Sequence, residues 1–157
     1  MKRWAQGDQI RALSMKYRQA VKEDIKQMSD IRLAVTENIL SDPSKITMAM
    51  YEDYLERLGR GWVCEIDNVI VGFVFAAKED NSIWALFIKK QYEGSGIGKT
   101  LLQQAVSWLF NQGAEKIVLS TEANTRADLF YGYQGWTRGK IKNGTEITYT
   151  LANPDYA

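Results

Sequence analysis

The sequence predicts a mixed α/β domain, and three observations carry that prediction. Two apolar runs, Trp62 to Ile66 and Val69 to Ala77, flank an Asp67-Asn68 pair, and a third run, Ile83 to Ile88, follows closely. That spacing belongs to successive antiparallel strands joined by tight turns. A glycine-rich stretch, Glu93-Gly94-Ser95-Gly96-Ile97-Gly98-Lys99-Thr100, then opens a helix-period run from Ile97 to Phe110. The chain returns as a short strand at Ile117-Val118-Leu119-Ser120, so the piece from 83 to 120 has the length of a βαβ crossover. Part of the sheet should therefore be parallel.

Taken in order, residues 1–14 are polar and without pattern, and read as an arm ahead of a domain over 15–157. Met15 to Ala20 alternates as a first strand. Ile25, Met28, Ile31, Leu33, Ala34 and Val35 recur at roughly helical spacing within 21–35, and Ile39 to Pro43 reads as a turn closed by proline. A second helix runs from about Thr47 to Leu58, with Met48, Met50, Tyr51, Tyr54, Leu55 and Leu58 as its apolar side and Gly59 and Gly61 as its stop. The helix from Ile97 buries Leu101, Leu102, Ala105, Val106, Leu109 and Phe110, and stops at Asn111-Gln112-Gly113. Asn124 to Tyr133 reads as a further helix opened near Asn124 or Thr125. Trp136 to Ile141 and Thr145 to Leu151 form a last hairpin about Asn143-Gly144.

Composition narrows the chemistry. The 157 residues are 45% apolar and 25% charged, with a net charge of +1, so no global field draws the chain to nucleic acid or membrane. Histidine is absent, which removes His-dependent triads and most zinc sites; with a single cysteine, Cys64, no metal is expected. One cysteine, no apolar run long enough to span a bilayer and no apolar signal segment at the N-terminus lead to an expected cytoplasmic location.

The glycine stretch is the chemical centre of the sequence. A strand, a glycine turn and a helix start direct free backbone N–H groups and a positive helix end at an anion. Gly94, Gly96 and Gly98 remove side chains from the turn, so a phosphate or pyrophosphate can approach the main chain. A nucleotide P-loop, G-x-x-x-x-G-K-[ST], would need glycine at position 93, which is Glu93, although Gly98-Lys99-Thr100 matches its tail. The dinucleotide fingerprint G-x-G-x-x-G fails at Lys99 or at Leu101, depending on where it is started.

Two segments together resemble the GNAT superfamily of acyl-CoA-dependent N-acetyltransferases. Glu93 to Gly98 occupies the family's pyrophosphate loop, Gln/Arg-x-x-Gly-x-Gly/Ala, with Glu93 where Gln or Arg is common. Asn124-Thr125-Arg126-Ala127-Asp128-Leu129-Phe130-Tyr131-Gly132-Tyr133-Gln134-Gly135-Trp136 looks like its Asn-x-x-Ala-x-x-Phe/Leu-Tyr-x-x-x-Gly-Phe/Trp signature. The resemblance implies one GNAT-like domain, whose central mixed, mostly antiparallel sheet is splayed at the cofactor site and flanked by helices.

The resemblance also implies a reaction: acetyl transfer from acetyl-CoA to a primary amine by direct attack in a ternary complex. Pantetheine would pair with the backbone of Leu86, Phe87 and Ile88, and the pyrophosphate would meet Gly94, Ser95, Gly96, Ile97, Gly98 and Lys99. Asn124 has two uses, a helix N-cap and a hydrogen bond to the pantetheine arm. Glu93 is expected to point away from the phosphates. Tyr131 would protonate the departing thiolate, and a backbone N–H near Phe87 or Ile88 would meet the thioester oxyanion. Glu122 and Glu37 are candidate bases, as is a water chain, and Cys64 reads as a core residue rather than a nucleophile. Trp84, Tyr51, Tyr54 and Trp136 lie toward the expected acceptor side. A non-catalytic acyl-CoA sensor and a nucleotide-binding protein are the competing readings. The acceptor stays open, and the last hairpin offers an edge for a homodimer.

Overall fold

The computed structural model describes residues 14–34 and 47–156. Most of the expected arm (1–13), the turn Ile39 to Pro43 and Glu37 lie outside the described residues. The strands among them are β1 (Met15–Gln19), β2 (Gly59–Ile66), β3 (Val69–Ala77), β4 (Ser82–Ile88), β5 (Lys116–Glu122), β6 (Thr137–Lys142) and β7 (Glu146–Ala152). The helices are α1 (Ile25–Ala34), α2 (Met48–Glu56), α3 (Ile97–Asn111) and α4 (Arg126–Tyr133). One sheet runs in the order β1-β2-β3-β4-β5-β7-β6, and every neighbouring pair is antiparallel except β4 with β5.

β3 explains why its sequence is an unbroken apolar run. Phe73 and Phe75 face α1 and α2, where they pack with Met28, Tyr51, Leu55 and Val63. Val74 and Ala76 face the other way, onto Leu101, Leu102, Ala105 and Leu109 of α3. A strand buried on both sides has no reason to alternate. Each fully buried leucine of that stripe contributes about 1.5–3 kcal/mol relative to leaving it in water.

Local chemistry sets the corners. Asp67 and Asn68 both take positive φ (51° and 67°), the requirement of the tight β2–β3 turn. The entry to α1 is a 3-10 turn, Lys22–Asp24, in which the Asp24 carboxylate accepts from Val21 N–H (2.8 Å) and from both Arg18 Nη atoms (2.8 and 2.9 Å). Burial opposes that charge, but the guanidinium and the amide outweigh it and hold Asp24 below the ordinary carboxylate range.

Two expectations change. Gly59 and Gly61 belong to β2 rather than ending α2, because a Cβ on Gly59 would stand 1.8 Å from the Ala76 carbonyl oxygen: glycine is there for close strand approach. Leu33 is 54% exposed, and the inward position on that turn of α1 belongs to Arg32, four residues beyond the fully buried Met28.

Candidate functional site

β4 and β5 are in register at one pair only, Ser82 with Val118, whose N–H donates to Asn81 O at 3.0 Å. β4 then runs on beside β3, and β5 beside β7, so the two strands part. On the β3 side, Lys89 N–H donates to Val71 O at 2.8 Å. Alternation along an antiparallel strand therefore turns the main-chain groups of Phe87 toward β3, and those of Leu86 and Ile88 into the opening.

The glycine turn stands at the head of this opening. A 3-10 turn, Lys90–Tyr92, lifts the chain off β4, and Ser95 Oγ donates to Tyr92 O. Gly94 and Gly96 take φ of 79° and 90°, which an L side chain resists. Gly96 is the N-cap of α3, no side chain caps that helix, and its first turn carries no acid. The orphan N–H groups and the positive end of a 15-residue helix thus meet the opening uncompensated. Glu93 is turned to Arg126, whose Nε lies 3.3 Å from Glu93 Oε1, while Arg126 Nη2 lies 3.7 Å from where a Gly94 Cβ would be. A guanidinium therefore sits over the glycine turn where the loop itself supplies a carboxylate.

Opposite stands α4. Its N-cap is Thr125, whose Oγ1 accepts from Asp128 N–H at 3.3 Å; Asn124 lies one residue earlier in the left-handed region (φ 64°), which corrects the N-cap expectation. Asp128 completes the cap by accepting from Asn124 N–H (2.7 Å) and anchors the helix by accepting from Arg138 Nε (3.0 Å), Arg138 Nη2 (2.8 Å) and the Tyr149 hydroxyl. The Arg138 bonds, helped by the Tyr149 hydroxyl and the Asn124 amide, outweigh desolvation and hold the Asp128 carboxyl well below the usual range.

So anchored, α4 turns Tyr131 inward at 6% exposure, against Phe130, Trp136 and Tyr149 at 5.1, 6.0 and 5.8 Å between ring centroids. Burial pushes the Tyr131 phenol well above the ordinary tyrosine range, so at neutral pH it keeps its proton.

These elements enclose a cleft of about 1120 Å³. Of the residues singled out in the sequence, Leu86, Phe87, Ile88, Gly94, Gly96, Gly98, Lys99 and Tyr131 line it. Ile97 is instead a core residue (1% exposed), Ser95 is engaged with Tyr92, and the exposed Asn124 stands off the lining. Sequence reading missed the α1 wall of the cleft: Gln27, Asp30, Ile31 and Ala34, spaced i, i+3, i+4 and i+7. That periodicity was the available signal, although only its apolar members were counted.

Asp30 and Glu93 are carboxylates on the wall, whereas Glu122, at the exposed end of β5, is not. Tyr51 and Tyr54 pack on Trp84 at 5.7 and 4.5 Å in the α1–α2 core, away from Trp136. Burial pushes the Cys64 thiol up to about 11, in keeping with a core role. Among the described residues no group of His, Cys, Asp and Glu could hold a metal, and no helix is long and apolar enough to cross a membrane.

A mixed sheet parted at its single parallel pair, with an uncapped, glycine-headed helix at the parting, defines a distinct class of α/β domain. Solved structures of that class superpose on this chain. PaiA N-acetyltransferase from Thermoplasma acidophilum, in complex with coenzyme A, matches with a TM-score of 0.73 and 16% identity over 90% of this chain and 100% of that one. YncA from Salmonella typhimurium, with acetyl-CoA, matches at 0.72 and 18% identity over 92% and 96%. In sequence, the chain is 36% identical over 76 residues to N-alpha-acetyltransferase 30 of Schizosaccharomyces pombe, which covers 45% of this chain. The match spans about half (51%) of that relative's own length. The profile of the acetyltransferase (GNAT) family matches residues 25–136. The chain belongs to the acetyltransferase (GNAT) family.

Proposed function

We propose that this chain moves an acetyl group from acetyl-CoA to a primary amine, with both substrates bound at once. The observation that carries the reading is the meeting of three features in one cleft: the unpaired edge at Leu86 and Ile88, the glycine turn, and the inward phenol of Tyr131. An extended pantetheine arm would continue the sheet as an extra strand on β4, hydrogen-bonded to the outward groups of Leu86 and Ile88. The pyrophosphate would rest on the N–H groups at the start of α3, from Gly94 to Lys99, with Lys99 and Arg126 adding charge. The acetyl-CoA named with the Salmonella structure supports this ligand. Asn124 enters on the family motif alone, as a contact to the pantetheine arm.

In this reading, the Ile88 or Leu86 N–H would stabilise the oxyanion formed when the amine attacks the thioester carbonyl. The carbonyl–sulfur bond then breaks, and Tyr131, protonated because it is buried, delivers its proton to the leaving thiolate sulfur. Both wall carboxylates are ion-paired at 3.3 Å, Glu93 with Arg126 and Asp30 with Lys26, so the ammonium proton would pass to water in the cleft, with Asp30 on the wall as a further acceptor. Family membership favours acyl-CoA over a nucleotide.

The test is Tyr131→Phe, which keeps the ring packing. Its expected outcome is a loss of about a hundredfold or more in kcat, with CoA affinity by calorimetry unchanged. Normal turnover with a good acceptor would remove the acid role. CoA binding by the unaltered chain with no thiol release across a broad amine panel would instead identify a sensor.

A further inference from the structure

On the strength of that reading, we infer that the acceptor amine also carries a carboxylate, and that Arg32 recognises it. Arg32 lies four residues beyond Met28, which is 0% exposed, and so points into the interface between α1 and the sheet. Its Cζ stands 4.8 Å from the Phe87 ring centroid and 5.7 Å from that of Trp84. Its Nε and Nη1 are buried, and neither has a hydrogen-bond acceptor among the described residues.

The nearby acid on the same helix, Asp30, is paired with Lys26 at 3.3 Å. Buried guanidinium N–H groups without an acceptor are costly to a fold even on a partly exposed residue, and stacking on rings does not satisfy them. An apolar side chain would pack there more stably, so stability does not account for the arginine.

Recognition does account for it. The guanidinium carbon lies over the Trp84 and Phe87 rings while the residue keeps part of its surface in the open. A carboxylate is the group that would satisfy the Nε and Nη1 hydrogens once the side chain turns to meet it. The position is also suitable. Arg32 itself stands just behind the cleft lining, to which Phe87, Ile31 and Ala34 belong, and Ile88, the residue after Phe87, is where the thioester is proposed to lie. An acceptor anchored by its carboxylate at Arg32 would present its amine toward that edge. This points to an amino-acid-like acceptor rather than a polyamine.

The experiment compares the twenty amino acids with their C-terminal amides, read by CoA thiol release and by calorimetry on the CoA-loaded chain. The unaltered protein should favour the acid over its amide by about ten- to a hundredfold in kcat/KM, carried by KM. Arg32→Met should abolish that preference while CoA affinity stays unchanged, and Arg32→Lys should retain part of it. Equal binding and turnover of acids and amides, or turnover of polyamines alone, would overturn the inference while leaving the transferase reading intact. So would a Glu37→Gln variant that reproduces the Arg32→Met loss, since the chain would then supply the anion itself. Should Arg32→Met not fold, the acid-to-amide ratio of the unaltered chain and the Arg32→Lys variant still decide the matter. No CoA binding at all would instead remove the transferase reading, and this inference with it.

Discussion

Replacing Asp128 by asparagine isolates the contacts that hold α4, and with it Tyr131, against the sheet. The carboxylate accepts from Arg138 Nε and Nη2 at 3.0 and 2.8 Å, from Asn124 N–H at 2.7 Å and from the Tyr149 hydroxyl. A carboxamide of the same shape offers one acceptor oxygen, so the two-point contact with Arg138 fails and an N–H₂ group faces a donor.

Each charge-assisted bond is worth about 1.5–3 kcal/mol net. The Arg138 side chain is 44% exposed against 7% for Asp128, so water recovers much of the arginine's half. The expected loss is therefore about 2–3 kcal/mol. With a urea m-value of about 2 kcal/mol per M, the midpoint should fall by about 1–1.5 M.

The pH dependence has a definite sign. The folded-state pKa of Asp128 is lowered, so the carboxylate's contribution is complete above the unfolded value of about 3.9 and is lost as pH falls toward the folded one. Below about pH 4 the gap between wild type and Asp128→Asn should close, by at most about 1.4 kcal/mol per pH unit. A midpoint shift under about 0.3 M at pH 7, or a gap that widens in acid, would refute this account of the anchor.

Three further outcomes follow from local geometry. Gly96→Ala meets no neighbour within 4 Å but must hold φ near 90°, so stability should drop by only about 1–2 kcal/mol; CoA affinity should fall at least tenfold, because only a ligand on the turn would meet the methyl, and calorimetry checks it. Gly59→Ala would drive a methyl onto the Ala76 carbonyl at 1.8 Å, and should cost about 3 kcal/mol, a fall in Tm of about 6–12 °C by thermal scanning. Cys64 is fully buried with its thiol pushed up to about 11, so iodoacetamide at pH 8 should label it in urea and leave the native chain unmodified.

Much of this architecture was legible because its signals are local. The Asp67-Asn68 turn, the unbroken β3 run and the stripe Leu101, Leu102, Ala105 and Leu109 state their structure within a few residues. Gly59 was misread because its reason lies across the sheet, in the Ala76 carbonyl, seventeen places along the chain. Arg32 was passed over because a charged residue on an apolar periodicity looks like a solvated one until the rings above it are located. The Glu93–Arg126 pair joins two segments that the motifs describe separately, so neither motif could announce it.

By itself the sequence determined the element types, the glycine turn at the start of α3 and the membership of Tyr131 in a recognisable segment, since each depends on neighbours close in the chain. Only the tertiary structure decided that β4 and β5 part after Ser82, that Asp30 stands on the cleft wall and that Nε and Nη1 of Arg32 are buried without an acceptor among the described residues. Those features depend on what packs against what, and burial and pairing across the sheet are properties of the assembled fold.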